Sequence, residues 1–412
     1  MGSQAGFAES ERVALRSGLS FIPLDDDLVI FSEESQSLVG LNATAAFIVQ
    51  GLQRGAPLED IAKALAAEKG AELEVCVLWV SAALDVLSSH ALLAGQKAAP
   101  GPHPVAEFLD RRVEKVPPFE PRDPALEGRY RLLGSNTLIR YGHRSQKRMV
   151  DTVIGHLQTE DAAAAALTID IQNQFWKPDW SEWLQVSSNI YCNGKAEAHS
   201  ERLSSLGPLV KSALWVHSVN AHDFLLDLHA GVVGRDGRCI LLPAAAGSGK
   251  SSLTAALVHS GLGYYSDEVA LIEPVTFQVA PVPLAVCVKS TAWDLMSRYY
   301  PQIHGLPMHR RDDGKQVKYV SPPAEAVQQR PAQVSHIFFP RYAKDDPTEL
   351  VSITRLDALA RIMDQCLALR LKMTPGGVRD LVRWLSGIEC YALTFSSLDE
   401  AVALVKNAAS FE

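Results

Sequence analysis

Between an apolar run at residues 239–242 and a helix-forming run at 251–258 lies a loop of small residues ending in Gly249, Lys250 and Ser251. Backbone N–H groups of such a loop can turn inward around phosphate oxygens, backed by the N-terminus of the helix. Lys250 would reach the β- and γ-phosphates and the Ser251 hydroxyl would ligate Mg²⁺. Ala246, Gly247, Ser248, Gly249 and Ser252 complete the expected cradle. The first motif position holds Ala244 where the usual pattern has Gly, which is tolerable only if φ stays negative. The strand before the loop and the helix after it turn a common tripeptide into an expectation of nucleotide binding.

The elements that must position this loop belong to a chain of 412 residues, long enough for two or three domains. Its charge of −8 and the lack of a basic stripe argue against a nucleic-acid partner. The six cysteines are scattered without a Cys-x-x-Cys pair, which suits a reducing compartment and predicts no zinc site. No apolar run approaches membrane-spanning length and the N-terminus lacks a signal-peptide core, so a cytoplasmic protein without a membrane partner is expected. Seven prolines between Pro100 and Pro124 mark residues 98–128 as a semi-extended linker with a short helix near 105–116. The order expected is therefore a module at 1–97, the linker at 98–128, and a larger domain at 129–412.

In the first module, strand-like runs at 20–24, 28–32 and 37–41 are separated by acidic turns. Asn42 is placed to cap a helix through Gly51, Pro57 to start a second at 58–69, and a third spans 74–89. On the third, Val75, Leu78, Trp79, Ala82, Val86 and Leu87 recur near helical spacing. Three strands and three helices read as a small winged-helix-like module. The segment resembles the PqqD family of peptide chaperones, also called RiPP recognition elements, in Phe21 to Leu24, Leu28 to Phe31, Leu38 to Asn42 and the helix containing Leu58 to Ala62. The resemblance implies a leader peptide added as a strand in a groove formed by residues 37–41 and the face of 74–89. Ordinary core roles for Val39 and Leu41 are the alternative.

After the linker the pattern turns β-rich. Asn193-Gly194 and Asp236-Gly237 read as hairpin turns, the second joining residues 228–233 to 238–242. Ala162 to Ala166 reads as a short helix, and Phe175, Trp176, Trp180 and Trp183 read as packing. A phosphate loop reached through a hairpin is unusual among nucleotide folds with parallel sheets. The ordered set His229, the turn, Ile240 to Leu242, Ala246 to Ser252, Gly261, Ser266, Asp267 and Glu268 resembles the HPr serine kinase family, which shares its P-loop core with phosphoenolpyruvate carboxykinases. It implies a mixed-sheet P-loop domain, making the whole chain α/β (α+β overall). The stretch 282–289 lacks the glycine-rich signature of those enzymes. Relatives that tailor ribosomal peptides, such as lasso-peptide kinases, resemble it better.

The residue types suit phosphoryl transfer to a hydroxyl. Asp267 ends the apolar strand 263–265, placed beside the strand that feeds the loop, and could accept the hydroxyl proton. Glu268 and Ser251 could hold Mg²⁺, while His229 could orient Asp267 or tune its proton affinity. Arg341, after an apolar strand, is a candidate for phosphate or base contact. The segment 309–315, with Lys318 beyond it, reads as an exposed polar loop more readily than as cations closing over phosphate. Together these residues point to an ATP- and Mg²⁺-dependent kinase acting on a Ser or Thr hydroxyl of a leader-containing precursor peptide. GTP in place of ATP and a homo-oligomeric assembly are left open. Acyl phosphate formation on the peptide and a nucleotide-gated chaperone without catalysis are the alternatives.

Overall fold

The computed structural model describes residues 7, 10–97, 113, 116–173, 187–311, 313–369 and 372–411. Two compact units emerge: one combines the N-terminal module with residues 353–364 and 372–390, and the other holds the rest.

In the first unit, β1 (Leu19–Leu24), β2 (Asp27–Ser32) and β3 (Ser37–Leu41) form an antiparallel sheet in that order. Three helices follow: α1 (Ala43–Gln53), α2 (Leu58–Lys69) and α3 (Leu73–Ser89). The Asn42 side chain accepts from the Ala45 N–H at 3.0 Å, so the expected cap forms and satisfies a donor the helix itself cannot. Ile30, Val39 and Leu41 from the sheet pack with Val49, Leu65, Val80 and Leu87 from the helices. The helical stripe read from the sequence of α3 is largely not its core face. Cys76, Val80, Ala83 and Leu87 are buried, whereas Val75, Leu78, Trp79 and Val86 are exposed. The helix is apolar on two faces, and periodicity alone could not say which one the core would take.

The second unit opens with β4 (Leu126–Leu132), β5 (Ser135–Tyr141), α4 (Arg144–Ile154), β6 (Leu167–Asn173), β7 (Ser188–Cys192), β8 (Lys195–Ser200) and α5 (Leu203–Asn220). Its five strands pair in chain order, antiparallel except for β5 with β6. Asn193 and Gly194 close the β7–β8 hairpin with φ of 50° and 76°, the geometry that Asn-Gly favours. Residues 162–166 are not helical. Asp161 accepts from the Ala163 N–H there, and so short an alanine run cannot offset the cost of helix nucleation. The expected aromatic cluster at 175–183, and most of the proposed 105–116 helix, lie outside the described residues.

A larger mixed sheet follows. It contains β9 (Leu226–Leu228), β10 (Ala230–Arg235), β11 (Arg238–Pro243), then α6 (Lys250–His259), β12 (Gly263–Ser266), β13 (Ala270–Ile272) and β14 (Gln278–Ala280). A separate three-stranded sheet is made of β15 (Val286–Lys289), β16 (His309–Arg310) and β17 (Gln316–Val320), with α7 (Trp293–Met296) between its first two strands. The chain then runs through β18 (Ala332–Tyr342), β19 (Glu349–Ser352), α8 (Arg355–Asp364), β20 (Cys366–Leu369), α9 (Pro375–Ser386), β21 (Glu389–Phe395) and α10 (Leu398–Ala408). The main path of the large sheet is β12-β10-β11-β18-β14-β13-β9-β20, and β11 and β18 are parallel. Strand β12 therefore pairs with β10, not with the loop-feeding β11 as expected, because the other edge of β11 is taken by β18.

Helices α8 and α9 follow strands of this sheet in the chain but are not part of its unit. They belong to the first unit, where α8 packs on β3 and α9 on β1. Gly40 permits the first contact, since a Cβ there would come within 2.4 Å of Leu356. The Gln36 amide also donates to the Met373 carbonyl at 3.1 Å and accepts from the Met373 N–H at 2.7 Å.

The polar segment after residue 308 is also not simply an exposed loop. His309 is fully buried, with Nε2 2.9 Å from the Thr152 hydroxyl and its ring edge-on to Tyr319. Lys318 is buried over the Trp293 ring and donates to the carbonyls of Ile303 and His304, so it is unavailable to close over phosphate. Burial lowers the His309 pKa from 6.5 to about 4. The unfolded chain then binds more protons than the folded one between those values, so stability should fall as pH drops through that window. In urea unfolding, His309 should account for a loss on the order of 3 kcal/mol between pH 7 and pH 4. An equal loss in His309→Gln would contradict this assignment.

Candidate functional site

The site is built where β11 passes through residues 244–249 into α6. Asp236 and Gly237, with φ of 54° and 73°, close the tight hairpin that brings β11 back along β10. Ala244 keeps a negative φ, so the departure from glycine is accommodated. Its N–H donates to the His229 carbonyl at 3.3 Å, and the His229 N–H donates to the Gln365 carbonyl at 2.8 Å. His229 thus sits in the short break between β9 and β10, held by backbone bonds on both sides.

Farther along the loop, Ser248 accepts from the Tyr342 N–H at 2.9 Å, which ties the loop to the end of β18. Gly249 adopts φ +85°, and a Cβ there would meet the Phe395 ring at 2.6 Å. Both conformation and space require glycine at this position. Arg341 neighbours that tie, but its exposed guanidinium is engaged with Asp346 at 2.8 Å and Thr394 at 3.4 Å.

Lys250 opens α6 and is buried, as is Asp267 just past β12. The Lys250 ammonium donates to the main-chain carbonyl of Asp267 and lies 3.9 Å from its carboxylate Oδ1. That Oδ1 is buried without a hydrogen-bond partner, and the Ser251 side chain is within hydrogen-bonding reach of the same carboxylate. Burial pushes the Asp267 pKa upward, opposed by the Lys250 charge. Ser248 Oγ is likewise buried and without a partner.

Glu268 is oriented differently. The Ser266 hydroxyl accepts from the Glu268 and Val269 N–H groups at 3.3 and 3.2 Å, forming a tight turn after β12. The Glu268 carboxylate is part exposed and accepts from Lys211 of α5. Burial would raise its pKa, but Lys211, Lys250 and Arg311 outweigh that and hold it at about 2. His229 is pushed to about 4, mainly by burial and then by Lys250, so it is neutral near pH 7. Lys289 and Arg311 also act on His229.

Of the sequence candidates, the fold brings together His229, Lys250, Ser251, Asp267 and Glu268 around the end of the loop. Ala246, Gly247, Ser248, Gly249 and Ser252 fall in the loop and the first turn of α6. Sequence reasoning missed Lys211 and Lys289 and read Arg311 as part of an exposed loop; the three cations make this pocket of charge cationic overall. The one legible signal for Lys211 was a lysine within an otherwise apolar stretch of helix; such a lysine is buried only when paired.

Residues 27–93 match the family described as Coenzyme PQQ synthesis protein D (PqqD). An N-terminal PqqD-like domain is therefore part of this chain. Among solved structures, "TbiB1 in Complex with the TbiA(beta) Leader Peptide" is similar at 23% identity with a TM-score of 0.19, covering 20% of this chain and 98% of that one. No curated protein matches.

The two loop glycines separate conformation from packing. Gly247 has φ +97° with open space where a Cβ would go, whereas Gly249 combines φ +85° with the Phe395 contact. Gly247→Ala should cost about 1–2 kcal/mol from the left-handed backbone alone. Gly249→Ala should cost clearly more in thermal or urea unfolding. Equal costs for the two would contradict the close packing of the loop on Phe395.

Proposed function

We propose that this chain is an ATP- and Mg²⁺-dependent kinase that phosphorylates a Ser or Thr hydroxyl of a ribosomally made precursor peptide, captured through its leader by the PqqD-like domain. The observation that carries the chemistry is the buried Lys250–Asp267 pair at the end of a glycine loop, beside the Ser251 hydroxyl and a second carboxylate at Glu268. The partnerless Asp267 Oδ1 and Ser248 Oγ fit a site that a phosphate and its cation complete. In this reading the 244–249 loop is a P-loop, and Ala246 to Ser252 surround the phosphates of ATP.

The geometry supports exchanging the two carboxylate roles expected from sequence. Asp267 lies deep, against Lys250 and next to Ser251, which suits the metal side of the site. Glu268 is the more open of the two and within electrostatic reach of neutral His229, which suits the side from which an acceptor hydroxyl approaches. Mg²⁺, when bound by Ser251 and Asp267, would neutralise charge developing on the transferred phosphoryl group. Glu268, held ionised, would orient the acceptor hydroxyl by accepting its hydrogen bond, the proton passing late in a loose transition state to an oxygen of the transferred phosphoryl group, with His229 steadying that carboxylate. Lys250 would give up its carbonyl contact for phosphate oxygens, and Lys211, Lys289 and Arg311 would offset the remaining negative charge. Arg341 is kept as a candidate base or phosphate contact, reached by leaving Asp346.

For the peptide, the edge of β3 that has no strand partner among the described residues lies in a domain whose α3 exposes Leu78 and Trp79. A leader strand added there would gain backbone hydrogen bonds from the edge and register from the apolar side chains. In this scheme residues 1–97 capture the leader, 98–128 tether it, and 129–412 hold the chemistry, with α8 and α9 serving as the outer layer of the capture unit. Tethering raises the acceptor's local concentration at the loop.

Two experiments test the scheme. Glu268→Gln should keep Mg²⁺-dependent ATP binding and lower turnover by about 100-fold or more, whereas Asp267→Asn should lose the Mg²⁺-dependent part of ATP affinity. The reverse pattern would restore the roles expected from sequence, and wild-type turnover in both would reject the site. Separately, Leu78→Asp with Trp79→Glu should raise KM for leader-containing peptide by about tenfold and leave a leaderless acceptor peptide unaffected. An unchanged KM would remove α3 from leader capture.

A further inference from the structure

We infer that Cys192, Glu197 and His217 form a binding site for a zinc-type divalent cation, separate from the phosphoryl-transfer site. Their donor atoms all lie within 4.8 Å of one another, and His217 Nε2 is 3.2 Å from Glu197 Oε2. The residues come from β7, β8 and the last turn of α5, so only the fold assembles them. That is why scattered cysteines in the sequence gave no such expectation.

The hairpin is locally modified to make this cluster. Tyr191 faces Ala196 and Ile190 faces Ala198, so Glu197 is the extra residue of a β-bulge, with no cross-strand partner of its own. A bulge costs ladder hydrogen bonds and typically re-aims a side chain. Here it belongs to the carboxylate that joins Cys192 and His217. The second carboxylate oxygen, Glu197 Oε1, is buried and makes no hydrogen bond. An ordinary Glu–His ion pair at a surface hairpin needs neither the bulge nor a buried cysteine beside it. Cys192 is itself buried at the end of β7.

The donor set selects the cation. One thiolate, one imidazole and one carboxylate suit a borderline metal such as Zn²⁺ and not Mg²⁺, which prefers oxygen alone. Three protein ligands leave a position for water. Binding would release the Cys192 thiol proton to solvent. The ion would pin the end of α5 to the β7–β8 hairpin. Lys211, which holds Glu268, lies six residues earlier on that helix, about 9 Å along its axis. The metal would thus stiffen the helix that positions a charge in the other site.

The full-length protein, freed of metal by chelator and titrated with Co²⁺, should bind one equivalent with a sulfur-to-cobalt charge-transfer absorption, and Zn²⁺ should displace it. Cys192→Ser should abolish that absorption. Glu197→Gln, nearly isosteric, should keep it while weakening the affinity by about tenfold. Absence of stoichiometric Co²⁺ or Zn²⁺ binding to the wild-type protein would overturn the inference. So would affinity and absorption unchanged in both variants. Should Cys192→Ser fail to fold, the wild-type stoichiometry and the Glu197→Gln titration decide the matter alone.

Discussion

The buried contact between Lys250 and Asp267 is the interaction on which the candidate site depends. It joins the first residue of α6 to the end of β12, and so fixes the loop from β11 relative to the acidic turn. Removing one partner from a buried ion pair typically costs about 3–5 kcal/mol, because the other charge is left uncompensated. The pair is incomplete by ordinary standards. The ammonium donates to the Asp267 carbonyl, and the nearer carboxylate oxygen stays 3.9 Å away without a partner. A lysine held this way keeps much of its charge available, which fits a group reserved for an anion better than one closing a structural bridge.

The surroundings follow from that constraint. Burial would disfavour both carboxylates as anions, and it takes Lys211 and Arg311 to keep Glu268 ionised. Burial, with Lys250, Lys289 and Arg311, keeps His229 neutral. Charges so placed cost little reorganisation when a polyanion arrives, which is the general route by which preorganised sites lower a barrier. In the other unit, α8 and α9 close the outer face of the β1–β3 sheet through Leu356 under Gly40 and Met373 on Gln36, while the core helices occupy the inner face.

Much of this was legible in the sequence, and the reasons are local. Gly249-Lys250-Ser251, the Asn193-Gly194 and Asp236-Gly237 turns and the Asn42 cap each act within a few residues, so composition and spacing reveal them. What failed was long-range. Nothing in residues 263–265 says that β10 would lie between them and β11. The alternation in α3 marked two apolar faces without ranking them. His309 looked like a loop residue, and Lys318 like an available cation on the strand after it, because their partners, Thr152 and the 303–304 carbonyls, are supplied by the tertiary fold. Helices α8 and α9 follow strands of one sheet yet pack on another, which no periodicity encodes. Lys211 and the Cys192–Glu197–His217 group are assembled from positions far apart in the chain.

The central claim is that this chain moves a phosphoryl group from ATP to a peptide hydroxyl. Intact-mass analysis of a leader-containing precursor peptide, after incubation with the full-length protein, Mg²⁺ and ATP, tests it most directly. The account predicts a stable gain of one phosphoryl group on a Ser or Thr, absent when the leader is removed or Mg²⁺ is chelated. A peptide that returns with unchanged mass while ATP is consumed, or that carries only a hydrolysable acyl phosphate, would contradict it.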